Sequence, residues 1–235
     1  MSRAWSLVPR RSDSPELMDS PGLPEEQIAS AYRILRRVNR RFGNLRAVGR
    51  EAERFLDEDL PGATPRSATA LDVGAGSGDV SAALSSRLAV LSLDRDATAA
   101  ALARRGGIPV VRGDALNLPF ADASIDLVTA VKFAHHFSGR ALERLLAEMA
   151  RVARRRVVVL DIRRHWVAYG GFVAWSRVFT RDHLVRHDGP LSVLRGFTAG
   201  ELAALGATLP DFDWLVRSYP GFQLALVGRR KAVVS

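Results

Sequence analysis

From residue 68 onward, short apolar runs alternate with amphipathic stretches, and this rhythm constrains the fold more than any other feature. "ATALDVG", "AVLSLD", "IPVVRGD", "IDLVTAV" and "RRVVVLDI" read as strands. "DVSAALSSRL", "ATAAALARR" and "RALERLLAEMARVA" read as the helices between them. Nearly continuous apolar strands joined by helices require a parallel sheet covered on both faces. Residues 163–197 break the rhythm. "TAGELAALGA" resumes it as a helix, with Thr198 at the N-cap and Glu201 placed for a capping box. "DFDWLVRSYP" and "GFQLALVGRR" follow each other too closely for a crossover helix, so they form an antiparallel hairpin.

Ahead of this region, residues 1–22 contain Pro9, Pro15, Pro21 and Gly22 and read as irregular. Ile28, Ala31, Leu35, Val38 and Phe42 keep the 3–4 spacing of one helical face, with Pro24 suited to its start and Gly43 to its end. A second helix is expected from Leu45 to Leu60, and "PGATPRS" (61–67) reads as a linker. The expected division is a helical cap, 1–60, and an α/β domain, 61–235, with a lid insertion at about 163–197.

The charge of +9 comes almost entirely from arginine, since Lys132 and Lys231 are the only lysines. Such a balance suits a solvated basic surface, to which the run Arg154–Arg155–Arg156 is assigned, and no nucleic-acid partner is expected. The chain has no cysteine, which excludes disulfides, thiolate metal sites and a cysteine nucleophile. "MSRAWSLVPRR" lacks the apolar core of a secretory signal, and "WVAYGGFVAW" is too short and too glycine-broken to span a bilayer. The expectation is a cytoplasmic protein without membrane insertion.

"LDVGAGSGD" places Gly74, Gly76 and Gly78 directly after the first strand, at the carboxyl edge of the sheet. Open α/β sheets bind ligands at that edge, and glycines let a ligand lie against the backbone. The dinucleotide fingerprint G-x-G-x-x-G does not fit, because Asp79 stands where its third glycine should be. D-x-G-x-G-x-G, with Asp72 in the strand end, suits a zwitterionic amino acid with a nearby cation better than a diphosphate. Asp94 ends the second strand, where a carboxylate can accept both ribose hydroxyls, and Asp114 ends the third, where it can accept an adenine amino group.

These residues carry a resemblance. "LDVGAGSGD", "LSLDRD", "VRGDALNLPFADASIDLVTAV", "HHF" and the closing hairpin resemble class I S-adenosylmethionine-dependent methyltransferases, in particular the ubiquinone/menaquinone-biosynthesis-like and small-molecule O-methyltransferase group. The resemblance covers about residues 66–230. It implies an α/β, Rossmann-like sheet of seven strands in the order 3-2-1-4-5-7-6, with strand 7 antiparallel. It implies S-adenosylmethionine as cofactor, with Asp72, Gly74, Ala75, Gly76 and Gly78 under its methionine part. Asp94 and Arg95 fall at the ribose, Asp114 and Ala115 at the adenine, and Val131 and Lys132 beside the sulfonium. Relatives often carry cysteine at the position of Ala75, and Lys132 is an unusual cation to find near a sulfonium.

"KFAHHFSG" follows the fourth strand and sets His135 and His136 at the mouth of such a site, while Asp161 ends the neighbouring fifth strand. An imidazole oriented by a carboxylate is a competent general base. A histidine pair in that place also serves as a structural turn. Trp166, Tyr169, Phe172, Trp175 and Phe179 recur at 3–4 spacing in the insertion, a stripe that suits core packing or an apolar acceptor pocket. His183, His187 and Asp188 in "RDHLVRHDGP" do not form a convincing ligand set, and no metal is expected. The reading is methyl transfer to a small aromatic or polyketide-type acceptor, on oxygen rather than carbon. The alternatives are C-methylation of a quinone-like ring, an RNA methyltransferase, an NAD-dependent oxidoreductase and a non-catalytic binding module.

Overall fold

Strand β1 (Thr69–Val73) lies near the centre of the sheet, and its alternating side chains set the two layers around it. We describe residues 8–20 and 22–232 in a computed structural model. The chain runs through α1 (Glu25–Arg41), α2 (Asn44–Asp59), β1, α3 (Asp79–Leu84), β2 (Ala89–Asp94), α4 (Ala97–Arg105), β3 (Val110–Arg112) and β4 (Ile125–Val131). It continues through α5 (Gly139–Val152), β5 (Ala153–Ile162), α6 (Trp166–Phe179), α7 (His183–Arg195), α8 (Ala199–Gly206), β6 (Phe212–Tyr219) and β7 (Gln223–Arg230). The seven strands stand in the order β3-β2-β1-β4-β5-β7-β6. β1 to β5 pair in parallel, and β7 is antiparallel to both β5 and β6. Fold class, strand order and the direction of strand 7 are those the sequence led us to expect.

One face of the sheet carries Leu71, Val73, Val128, Ala130, Val157 and Val159, buried against Leu145, Leu146 and Met149 of α5 and Leu202 of α8. The other carries Ala70, Leu127, Val131, Val158 and Leu160, buried against Ala47, Val48, Ala52 and Phe55 of α2 and Val80 and Leu84 of α3. The division expected at residue 60 therefore does not divide the core, because α2 is a layer of it. The Thr198–Glu201 capping box forms at the start of α8.

The arginine run departs from expectation. Arg154 and Arg155 are exposed, but Arg156 is 1% exposed, with Asp59 at 2.6 Å from its Nε and Glu58 at 2.8 Å from its Nη2. Its inward direction follows from strand periodicity: it precedes Val157 on β5 and shares the face of Val158, where α2 ends. The aromatic stripe is split as well. Phe172 and Trp175 pack on Ala31, Leu184 and Val185, whereas Trp166 and Phe179 are exposed.

Residues 8–20 are a strap laid across α7. The backbone N–H groups of Leu17 and Met18 donate to the Asp188 carboxylate, and Ser12 N–H donates to the Leu194 carbonyl. Arg164 donates to the Pro9 carbonyl, and Arg11 to the Arg195 and Phe137 carbonyls. The strap crosses the short turn that holds the histidine pair.

Candidate functional site

The glycine loop leaves β1 with Gly74, Gly76 and Gly78 all in left-handed backbone, at φ +69°, +53° and +80°. This conformation disfavours residues with a Cβ. The three glycines face different neighbours. A Cβ at Gly74 would overlap the ring of Phe133, one at Gly76 would meet Tyr32 of α1, and one at Gly78 would press on Ala103 and Ile108. Gly78 therefore serves close packing of α3 on α4, and Gly74 and Gly76 form the open side of the loop. Ala75 N–H is held by the Leu93 carbonyl.

Asp94 accepts Gly76 N–H at 2.8 Å on one oxygen and Asp96 N–H at 2.9 Å on the other. Burial raises its pKa against the pull of those two N–H groups. Each oxygen keeps lone-pair capacity toward the rim. Arg95 and Asp114 are exposed beside it, Asp114 accepting Leu116 N–H, and Ala115 is buried next in line. Asp72 stands apart from these. It is 1% exposed, accepts the Ser81 hydroxyl at 2.7 Å, and is raised to about 7, chiefly by burial. It lies beneath the loop on the α3 face of the sheet, so its action on a ligand is indirect.

β4 ends at Val131, and Lys132 follows with φ +55°, a left-handed conformation that costs a lysine roughly 1–3 kcal/mol. Burial lowers its ammonium to about 8, partly offset by the charge of Asp161. A short 3-10 turn, Ala134–His136, then presents the two imidazoles with ring centroids 4.4 Å apart.

The histidines divide unequally. His135 is 3% exposed. Its Nδ1 lies 2.8 Å from Asp161 Oδ1, its backbone N–H donates to Asp161 Oδ2, and Glu16 of the strap stands beyond its Nε2. Burial favours the neutral ring, but Asp161 and Glu16 outweigh it and raise His135 to about 9. Asp161 is correspondingly held down to about 2, because the His135 charge and hydrogen bond overcome its burial. His135 is thus covered, and does not stand open at the site mouth as its position suggested. His136 is the more accessible ring, with its Nδ1 on Asp19 at 2.9 Å, and Asp161 does not reach it. Arg195 fixes the turn by donating to the carbonyls of both histidines and of Ser14.

Two regions separate in sequence meet through Phe133. Its ring lies against Gly74 and 6.1 Å from the His136 ring. Glycine loop, Asp94, Lys132 and histidine cluster therefore share one rim, at the carboxyl ends of β1, β2 and β4.

Comparison with known proteins agrees with this geometry. Residues 71–160 match the family model described as a methyltransferase domain. These residues carry a methyltransferase domain, and the fold is that of S-adenosylmethionine-dependent methyltransferases. The chain is 51% identical over 63 residues to an Encephalitozoon cuniculi protein named as a methyltransferase, covering 26% of this chain and 28% of that one. It is 35% identical over 99 residues to a Bos taurus protein named as tRNA methyltransferase 9B, covering 42% of this chain and 20% of that one. The chain thus spans less than a third of these relatives' lengths. In fold it is similar to the plantazolicin methyltransferase BpumL, solved with S-adenosylhomocysteine, at 13% identity and TM-score 0.64 over 88% of this chain and 90% of that one. The open glycine backbone and the spare lone pairs of Asp94 fit the domain's cofactor.

Sequence reasoning missed Glu16, Asp19, Tyr32, Phe133 and Arg195. A usable signal was the cluster of acids at positions 13, 16 and 19, placed ahead of an arginine-rich helix in a chain of net charge +9.

Proposed function

We propose that the chain is an enzyme that methylates a hydroxyl oxygen of a small, flat, largely apolar acceptor of phenolic, quinone-like or polyketide type. The observation that carries this reading is Phe133 in contact with both the glycine loop and the histidine cluster. Gly74, Ala75 and Gly76 would hold the amino-acid end of the cofactor, Asp94 with Arg95 the ribose, Asp114 and Ala115 the adenine, and Val131 and Lys132 would flank the sulfur. When bound, the cofactor supplies an electrophilic methyl group. The chain's own residues have two tasks: to hold the acceptor oxygen in line, and to give its proton somewhere to go. Orientation supplies several kcal/mol, up to roughly 7–11 in ideal cases. His136, with Glu16 and Asp19 beside it, lies where that proton would leave.

A labelled-methyl screen over phenols, quinols and hydroxylated polyketides tests the proposal. Transfer to oxygen supports it; labelling of carbon, or of none of these compounds, overturns it.

An RNA substrate is the second reading, supported by the similarity to the protein named as tRNA methyltransferase 9B and by the charge of +9. Against it, Arg151, Arg154, Arg156, Arg164 and Arg195 are turned to partners within the chain. A salt-dependent gel shift with RNA, of slope near −0.7 per phosphate contact on a single strand, would favour it.

A further inference from the structure

Glu16, His135 and His136 converge on one another, with the Ser192 hydroxyl donating to Glu16 Oε1 at 2.8 Å. His135 Nε2 is 3.5 Å from Glu16 Oε1, and His136 Nε2 is 3.9 Å from Glu16 Oε2. Both separations exceed those of a normal N–H···O hydrogen bond. Yet one donor atom from each of the three residues lies within 4.8 Å of the other two. The remaining nitrogen of each ring is already engaged, His135 Nδ1 by Asp161 at 2.8 Å and His136 Nδ1 by Asp19 at 2.9 Å. The Nε2 atoms of both rings are left on the side of the Glu16 carboxylate.

We propose that Glu16, His135 and His136 bind a single divalent cation of the zinc type. Ligand atoms at about 2.0–2.2 Å from a tetrahedral cation stand roughly 3.3 Å apart. The two nitrogen–carboxylate spacings, 3.5 and 3.9 Å, lie close to that value. Two imidazoles and one carboxylate favour zinc and its neighbours over magnesium or calcium, which prefer sites made wholly of oxygen. Asp161 and Asp19 occupy the place that outer carboxylates take behind metal-bound histidines, fixing each ring with Nε2 toward the ion. Three carboxylates, Glu16, Asp19 and Asp161, stand among Lys132, Arg11, Arg95 and Arg195, of which Arg11 and Arg195 are spent on backbone carbonyls.

The set could not be read from the sequence, because Glu16 stands 119 positions before His135 and no short spacing joins them. Three protein ligands leave a fourth position for water or an acceptor oxygen. This consequence rests on the O-methylation reading above: a hydroxyl bound there gives its proton to solvent as its oxygen joins the cation, so the imidazoles act as ligands rather than bases. The cation would also fasten the strap to the rim, since Glu16 belongs to the strap.

The experiment uses the full chain, stripped with a chelator and titrated with Zn2+ by calorimetry and with Co2+ by visible absorption. S-adenosylhomocysteine binding is measured on each sample as an independent readout of fold and cofactor site. The expected result is one Zn2+ per chain, with no competition from Mg2+. Glu16→Gln and His136→Ala should each weaken binding by more than about tenfold, and Asp19→Asn by roughly 10–100-fold, with S-adenosylhomocysteine affinity kept. No stoichiometric Zn2+ or Co2+ in the wild-type chain, or affinity unchanged in both Glu16→Gln and His136→Ala, overturns the site. Zn2+ bound without S-adenosylhomocysteine would support the cation site and sink the methyltransferase reading instead.

Discussion

Tyr32 of α1 covers Gly76: a Cβ built on this glycine would come 2.9 Å from the tyrosine ring. The phenol is held above its ordinary pKa, first by burial and then by the negative charges of Asp94, Asp96 and Asp19. α1 therefore reaches the same rim as the loop and the ribose-site carboxylate. A ligand lying on Gly76 must displace this ring or stack on it.

Gly76→Val should abolish cofactor binding while the fold persists, because the branched side chain meets both left-handed backbone and the Tyr32 ring. Asp94→Ala should weaken S-adenosylhomocysteine by about 1.5–3 kcal/mol, the worth of a hydrogen bond to a charged group. Calorimetry on folded variants decides. Full affinity in both would remove the loop from the cofactor site.

α1 and the α6–α7 insertion should exchange amide hydrogens more slowly once S-adenosylhomocysteine and an acceptor are bound. Tyr32 ties α1 to the loop, and Phe172 and Trp175 tie α6 to α1. Equal protection with and without ligands would make both segments plain packing.

His136→Ala should lower kcat by on the order of 10²–10⁴ with little change in S-adenosylhomocysteine affinity. This holds whether the ring takes the proton itself or holds a cation that releases it. The loss should shrink at high pH, where a phenolic acceptor ionises unaided near ~10. Asp161→Asn should give a smaller loss of the same form, acting through His135. A near-normal kcat for His136→Ala would leave the ring as a turn residue.

Asp72 gives the apo protein a pH signature. A carboxyl raised to about 7 in the fold binds its proton more tightly than in the unfolded chain. Its contribution is fully favourable below the unfolded value near ~4 and is lost as pH rises toward 7. Asp72→Asn keeps an acceptor for Ser81 without the buried charge. It should stabilise the cofactor-free protein by an amount that grows between about pH 4 and 7 and then levels off, at most about 4 kcal/mol. Denaturant titrations at pH 4, 6 and 8.5 check it, and a gain independent of pH would contradict the assignment.

Arg156→Ala should cost about 3 kcal/mol, because it removes the buried partner of Asp59 and leaves that carboxylate only the more exposed Arg229. Arg154→Ala, at an exposed position, should cost under about 1 kcal/mol. Equal effects in urea melts would argue against the difference in burial.

Local features were legible in the sequence. The glycine loop, the Thr198–Glu201 capping box and the closing hairpin declare themselves within ten or so residues, and adjacent parallel strand tips were enough to bring Asp161 to His135. What escaped depends on partners far away in the chain. Arg156 looked like surface because its neighbours in sequence are arginines, and Asp59, which buries it, lies on another element. His135 looked catalytic because its spacing from β4 sets it on the rim. Glu16 and Arg195, which cover it, lie 119 residues before it and 60 after it.

The strap leaves the ribosome long before the helix that seats it. Its hydrogen bonds from Leu17 and Met18 to Asp188 span 171 and 170 residues. At roughly 5–20 residues per second of translation, these N–H groups wait on the order of 10–30 s for their acceptor. Until α7 emerges, His135 has its strand-tip carboxylate but nothing to fix the peptide that closes over it. A nascent chain would therefore pass through a stage with strands β1 to β5 made and the histidine pair open to water.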